Sequence, residues 1–379
     1  MSSRAYQMCV RCIMDTTDPE IEFDKDGLCN HCRAYEKRAQ QTILPEVERE
    51  KALEQLVAEI KSKGKGKEYD CIVGVSGGVD SSYTAYVIKK LGLRPLAVHL
   101  DNGWNSELAV SNIEKQLKIL GIDLYTFVLD WQEFKDLQTA FLKASVSDAE
   151  IPTDHAILAT LYRVASERDI NHIIIGTNLV TEGILPGSWT YGVGDWRYIK
   201  SVHSKFGESK LTSYPHYSYL NFLYYNIAKR MSFVYFLDYI PYNKQEAIQV
   251  LKDELGWTPY GGKHYESIYT RFFQGYILPR KFNIDKRKAH LSTLIMSNQM
   301  TREEALAEME LPPYAGSLIE EDFEYVLKKL ELSEDEFSKI MSSPIKTHKD
   351  YPTLELIFNL MRDLPLGRLA RTVGLLPAR

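Results

Sequence analysis

The chain predicts an α/β protein built on a doubly wound parallel sheet, with a cysteine-rich ribbon before it and a mainly helical region after it. Three observations carry this. Short apolar runs at Cys71–Val75, Leu96–Leu100, Tyr125–Leu129 and His172–Ile175 alternate with helical patterns. Two Cys-x-x-Cys pairs, Cys9/Cys12 and Cys29/Cys32, precede the first run. Past Asn178 the alternation gives way to a stretch dense in Tyr, Trp and Phe, and then to capped helical patterns.

Composition sets the bounds. A chain of 379 residues, 44% hydrophobic and 26% charged, has room for two or three globular domains. Its net charge of −5, with no domain-scale basic excess, argues against a dedicated tRNA or DNA enzyme, so no nucleic-acid partner is expected. No N-terminal stretch reads as a signal peptide. The most apolar region, Leu220 to Ile240, is broken by Lys229 and Arg230 and is too short on either side to span a bilayer. No membrane insertion and a cytoplasmic location are therefore expected. The cysteines fit a reducing compartment, because four of the five have metal-type spacing.

Residues 1–45 read as a zinc ribbon. Thiolates of Cys9, Cys12, Cys29 and Cys32 can surround one Zn²⁺ tetrahedrally, and an iron–sulfur cluster would use the same ligands. The turn signals Asp18-Pro19 and Asp26-Gly27 leave few apolar residues for a core. Metal would supply the folding energy, on the order of 10–16 kcal/mol of apparent binding. His31 reads as a bystander.

Residues 46–205 read as a nucleotide-type α/β domain. It opens with an amphipathic helix, Glu46 to Lys61, and a solvated Lys-Gly linker. The first apolar run leads into Ser76-Gly77-Gly78-Val79-Asp80-Ser81-Ser82 and then a helix. The loop lacks the Lys of an ordinary phosphate-binding loop. Gly77 and Gly78 let backbone N–H groups close on an anion, and the serines add hydroxyls. The helix start adds its positive end. Asp80 beside a phosphate suits Mg²⁺. Gly92 and Gly121 read as helix stops, and Thr153 to Arg168 as a further helix. Ligands of such sheets bind past the strand ends, here also at Asp101-Asn102-Gly103-Trp104, Asp130-Trp131 and Gly176-Thr177-Asn178.

Residues 206–379 read as a helical substrate or partner domain. Gly261 to Ser292 concentrates Lys263, His264, Arg271, Arg280, Lys281, Arg287, Lys288 and His290 among aromatics, a candidate anion site. Thr301/Glu304 and Ser333/Glu336 are capping boxes.

The loop VSGGVDSS resembles the PP-loop of the ATP pyrophosphatase superfamily, a HUP-like fold. With CVRCIMDTTDPEIEFDKDGLCNHC, LAVHLDNGWNS, IIIGTN, the stretch KHYESIYTRFFQGYILPRKFNIDKRKAHLSTLI and QMTREEAL, the chain resembles the N-acetyl sugar amidotransferases of bacterial surface-polysaccharide (O-antigen) biosynthesis over nearly its whole length. The resemblance implies conversion of a sugar N-acetyl group to an acetamidino group with ATP and ammonia. It implies a separate glutaminase partner, often with a cyclase-like companion, and a nucleotide-linked N-acetyl sugar as substrate. It also implies a five-stranded parallel sheet with adenine held by the backbone of Val98 to Leu100. ATP, Mg²⁺ and Zn²⁺ are the expected cofactors. Ser76 to Ser82, Val98, His99, Leu100, Asp101, Gly176, Thr177 and Asn178 would bind the nucleotide. Asp80, Ser81, Lys263, Arg280 and Lys281 would serve catalysis.

The chemistry stands independently. An amide carbon resists amines until its oxygen is adenylated; ammonia then displaces AMP and leaves an amidine. The protein must hold the pyrophosphate and Mg²⁺ and align the amide. Asp154 and Glu182 are further candidates for metal or ammonia. Glutaminases commonly use a Cys nucleophile, yet four cysteines are committed to metal and Cys71 lies in an apolar strand. A partner is therefore expected. The rivals are a tRNA thiolase or another adenylating enzyme, and a non-catalytic nucleotide-binding ribbon module. Thiolases of this kind usually carry cysteines after the loop, and here none follows Cys71.

Overall fold

The structure, a computed structural model, describes residues 5–260, 262, 265–313 and 318–356. Five strands, β1 (Cys71–Gly74), β2 (Pro95–Asp101), β3 (Asp123–Val128), β4 (His172–Ile175) and β5 (Ser232–Tyr235), form one sheet in the order β3-β2-β1-β4-β5. Every neighbouring pair is parallel. Both faces of the sheet are covered, which is why the central strands read as continuous apolar runs. On one face Ile72, Leu96, Val98, Ile173 and Phe233 pack against α6 (Ile151–Glu167) through Leu161, Val164 and Ala165. On the other, Cys71, Val73, Ala97, Ile174 and Val234 meet α2 (Glu46–Lys63), α3 (Val79–Lys90) and α4 (Glu107–Leu120). This is the doubly wound fold that the sequence predicts.

The helix stops are where the glycines require them. Gly92 and Gly121 have φ of +76° and +58°, a region that costs a side chain strain. The two capping boxes form ahead of α13 (Arg302–Glu310) and α15 (Glu334–Ser342).

One boundary is corrected. The fifth strand lies at Ser232–Tyr235, past residue 205, where the α/β unit was expected to end. Four residues between a helical segment and a short turn of helix are too few to show a strand period. Only pairing with β4 makes them a strand.

The ribbon and the C-terminal helices share one core instead of standing apart. α1 (Asn30–Thr42) brings Cys32 and Tyr35 into a cluster with Phe134 and Phe141 of α5 (Trp131–Ala144). Phe272 of α11 (Ile268–Phe272), Val326 of α14 (Leu318–Leu330) and Phe337 of α15 belong to the same cluster. Across this seam Lys288 of α12 (Lys286–Met296) donates to Asp15 Oδ2 at 2.5 Å, and Ser292 Oγ accepts from the Ile13 N–H at 3.2 Å. No helix among the described residues is long and apolar enough to cross a membrane.

Candidate functional site

The strand order reverses at β1 and β4, so the connections leaving their carboxyl ends diverge and open a crevice between them. The loop after β1 is Ser76 to Gly78, and the one after β4 is Gly176 to Asn178. Both lie where the sequence expected nucleotide contacts.

Within the first loop, the Ser76 N–H donates to Ser81 Oγ at 3.2 Å, and the Gly78 N–H donates to Ser76 Oγ at 3.3 Å. The two serine hydroxyls lie 3.1 Å apart. The result is a turn of inward N–H and O–H groups on the N-terminus of α3, with the chemistry of an anion cradle. Gly77 adopts φ +83°, and a Cβ there would lie 2.9 Å from the Ala109 carbonyl oxygen. Gly176 is required for close approach: its Cβ would lie 2.6 Å from the Ser81 nitrogen. Ser82 is fully buried, and its hydroxyl has no hydrogen-bond partner among the described residues.

Asp80 stands at the first turn of α3. Thr181 Oγ1 donates to its Oδ2 at 3.2 Å, and the Tyr242 hydroxyl donates to its Oδ1. Thr181 is held in turn by Asn178, whose Oδ1 accepts from the Thr181 N–H at 2.9 Å and caps the short helix α7 (Leu179–Glu182). Burial, reinforced by the Asp80 carboxylate, drives the Tyr242 phenol far above its usual range, so it stays a donor. The sequence reading missed Tyr242 and Thr181; neither belongs to a motif.

The second strand supplies backbone. The Val98 carbonyl accepts from the Val75 N–H at 3.0 Å on the β1 side, and the Asp101 carbonyl accepts from the Leu129 N–H on the β3 side. Strand alternation then turns the backbone of Leu100 toward the β1 side, beyond the last β1 residue, Gly74. His99 accepts from Asn105 Nδ2 at Nε2 (3.0 Å), so its Nδ1–H donates to the Val75 carbonyl at 2.9 Å.

Deeper lies an acidic cluster. Glu150 Oε2 accepts from Gln274 Nε2 at 2.8 Å and lies 3.4 Å from Lys286 Nζ. Asp148 accepts from the Thr190 hydroxyl and the Tyr191 N–H. Asp154 is solvent-exposed and lies near these carboxylates and Lys286. Desolvation, then the carboxylates of Glu150 and Asp148, push its acid up to about 8; Glu182 adds to this and Lys286 opposes it. Lys286 is held above the usual range, because its three carboxylate neighbours outweigh the desolvation that would lower it. Sequence reasoning named Asp154 and Glu182 but missed Asp148 and Glu150, in the turn that leads into α6, and Lys286, which α12 brings from far along the chain.

A segment far along the chain closes over the anion loop. Trp257 Nε1 and the Tyr260 hydroxyl both donate to the Gly77 carbonyl, at 3.0 and 2.8 Å. Ser267 bridges Asn105, the Ser106 N–H donates to the Glu266 carbonyl, and the Ile268 N–H donates to the Trp104 carbonyl.

Residues 266–365 match the family model for the C-terminal domain of WbpG-like LPS biosynthesis proteins. The match is confined to the C-terminal part of the chain. A glutamine-hydrolysing GMP synthase of Pyrobaculum aerophilum is 38% identical over 104 residues, 27% of this chain and 19% of that protein. A tRNA-5-methyluridine(54) 2-sulfurtransferase of Pyrococcus horikoshii is 34% identical over 110 residues, 28% of this chain and 30% of that protein. The chain thus spans less than a third of either curated relative. Among solved structures, an NMN synthetase of Francisella tularensis aligns at 14% identity and TM-score 0.32 over 75% of this chain and 97% of that one. An NH3-dependent NAD synthetase of Campylobacter jejuni aligns at 18% and 0.28 over 54% and 83%.

The WbpG-like domain corrects the reading of the basic stretch as one anion site. Arg271 forms a two-point pair with Asp322, both bonds 2.7 Å. Arg287 pairs with Asp285, and Lys288 with Asp15. Lys281 donates to the carbonyls of Ile340, Met341 and Ser343, capping the end of α15, so a catalytic role for it is replaced by a structural one. Arg280 is exposed and stacks 3.9 Å over the Tyr276 ring. Lys263 and His264 lie outside the described residues. The charges were legible in sequence; Asp322 and Asp15, which neutralise Arg271 and Lys288, come from other elements.

The four ribbon cysteines converge. Cys9 and Cys32 sulfurs are 3.8 Å apart, Cys12 and Cys29 3.7 Å, and Cys29 and Cys32 3.6 Å, with all four within 4.8 Å of one another. Tetrahedral Zn²⁺ at about 2.3 Å from each sulfur needs edges of about 3.8 Å. The residues fit a single zinc-sized ion; a cluster needs more room between its thiolates. Backbone N–H groups of Met14, Cys29 and Cys32 donate to the sulfurs, as thiolate ligands require. His31 instead contacts Asp18 at 2.6 Å, consistent with a bystander to the metal.

Proposed function

We propose that this chain is an ATP-dependent, AMP-forming amidotransferase that converts the N-acetyl group of a nucleotide-linked sugar into an acetamidino group in surface-glycan biosynthesis. Ammonia comes from a separate glutaminase, with a cyclase-like companion as a further partner. The observation that carries the reading is the packing around the anion loop of the WbpG-like region and the segment before it: Ser267 bridges Asn105, just past the second strand, and Trp257 and Tyr260 hold Gly77. The reading also draws on the likeness to a GMP synthase, whose name describes glutamine hydrolysis coupled to synthesis.

In this reading the Ser76–Ser81 cradle and the α3 N-terminus hold the phosphates. The backbone of Leu100 meets the adenine. Asp80, fixed by Thr181 and Tyr242, would hold Mg²⁺, which when bound would offset charge on the phosphates. The substrate amide oxygen attacks the α phosphorus and pyrophosphate leaves. Ammonia adds to the activated carbon, AMP departs with the former amide oxygen, and a proton is lost. Glu182 and Asp154 line the approach beside this point. The ribbon's four thiolates close its metal shell, so the metal is structural.

The test is incubation with ATP, Mg²⁺, ammonium and a panel of nucleotide-linked N-acetyl sugars, read by mass spectrometry. A product with one oxygen replaced by NH, with AMP and pyrophosphate in equal amounts, is expected. ADP and phosphate in their place, or sulfur transfer to tRNA, would sink the proposal.

A further inference from the structure

We infer that Trp257 and Tyr260 are positioning residues that lock the anion loop in its phosphate-accepting form by gripping the outer carbonyl of Gly77. The inference rests on the reading of that loop as a nucleotide site. A trans peptide is planar, so the Gly77 carbonyl and the Gly78 N–H point in opposite directions. Trp257 Nε1 and the Tyr260 hydroxyl take the carbonyl from outside, at 3.0 and 2.8 Å. The Gly78 N–H is thereby turned inward, where it meets Ser76 Oγ at 3.3 Å.

Gly77 needs such a lock. At φ +83° glycine has no side chain to hold it, and its peptides can rotate at little cost. The gripping segment is itself held. The helix α10 (Lys244–Leu255) stops at Gly256 in the left-handed region, and the chain then crosses to α4. There buried Asn112 clamps Thr258 on both sides: its Oδ1 accepts from the Thr258 N–H at 2.9 Å, and its Nδ2 donates to the Thr258 carbonyl at 2.8 Å. Trp257 is buried against Leu251 and Leu255. Tyr260 also fills the space beside Gly77, so close that a Cβ there would lie 3.0 Å from its hydroxyl. Two aromatic donors from about 180 residues downstream thus set the direction of one amide in the cradle.

The probes are magnesium-ATP, magnesium pyrophosphate and adenosine, each titrated calorimetrically into the full chain with its ribbon metal present. Trp257→Phe and Tyr260→Phe keep a ring and remove one donor each; the double variant removes both. ATP and pyrophosphate affinities should fall roughly two- to tenfold per donor, the worth of one neutral hydrogen bond. Adenosine affinity should hold, because it does not reach the cradle. Unchanged pyrophosphate affinity in the double variant, or an equal loss for adenosine, overturns the lock. An unaltered chain that binds neither ATP nor pyrophosphate overturns the nucleotide reading and the lock with it, a result distinct from the other two. If Trp257→Phe fails to fold, half-buried Tyr260→Phe decides alone.

Discussion

Thr181 donates its hydroxyl hydrogen to Asp80 Oδ2 at 3.2 Å, tying the connection after the fourth strand to the helix after the first. With Tyr242 on the other carboxylate oxygen, Asp80 is fixed in the crevice from two sides. Asp80→Ala should keep the fold and cut turnover roughly 10²–10³-fold, the scale for losing one preorganised electrostatic group. Steady-state rates at saturating magnesium-ATP, with circular dichroism as the folding control, check this. Near-normal turnover would remove Asp80 from the chemistry.

The ribbon should bind one Zn²⁺ per chain. Cys29→Ser should lose the metal and lower the thermal midpoint, because the ribbon shares its core with α5 and the C-terminal helices. Elemental analysis gives the first result and scanning calorimetry the second. An iron–sulfur absorption band in anaerobic protein would contradict the sulfur spacing.

Stability should fall as pH rises through the range set by Asp154. Desolvation, with the carboxylates of Glu150 and Asp148, pushes its native acid up to about 8. In the unfolded chain an aspartic acid titrates near 4. Between these values the unfolded chain has released the proton and the native chain has not, so unfolding releases one proton. The destabilisation begins above about pH 4 and levels off above about 8. Solvent at exposed Asp154 screens the charge and reduces the size of the effect. Asp154→Asn should flatten this slope. Denaturant midpoints of both proteins near pH 5 and pH 8 read it; equal slopes would mean that Asp154 titrates normally.

Free ammonium should support the reaction, and glutamine should not unless a glutaminase is added. Burial pushes the Cys71 thiol well above its usual range, and the other four thiols face one another in the ribbon. A buried protonated thiol is a poor nucleophile. Ammonium dependence should steepen with pH, because NH₃ carries the lone pair, and should flatten when a partner delivers NH₃ directly. Product from glutamine alone, at the rate seen with ammonium, would rule out the need for a partner.

The sequence by itself determined four of the five strands, the helix stops at Gly92 and Gly121, the anion loop and the cysteine set. Each depends on chemistry local in the chain: an apolar run, a glycine's freedom, a fixed spacing of thiols. Tertiary structure decided what depends on neighbours distant in sequence. Ser232–Tyr235 became a strand only by pairing with β4. The basic charges of residues 271–288 were legible, but Asp322 and Asp15 neutralise two of them, and the carbonyls ending α15 take Lys281. Tyr242, Trp257 and Tyr260 belong to no motif, and they reach the loop because α10 packs on α3. A side chain's type is written in the sequence, whereas the partner that sets its charge and direction is chosen by packing.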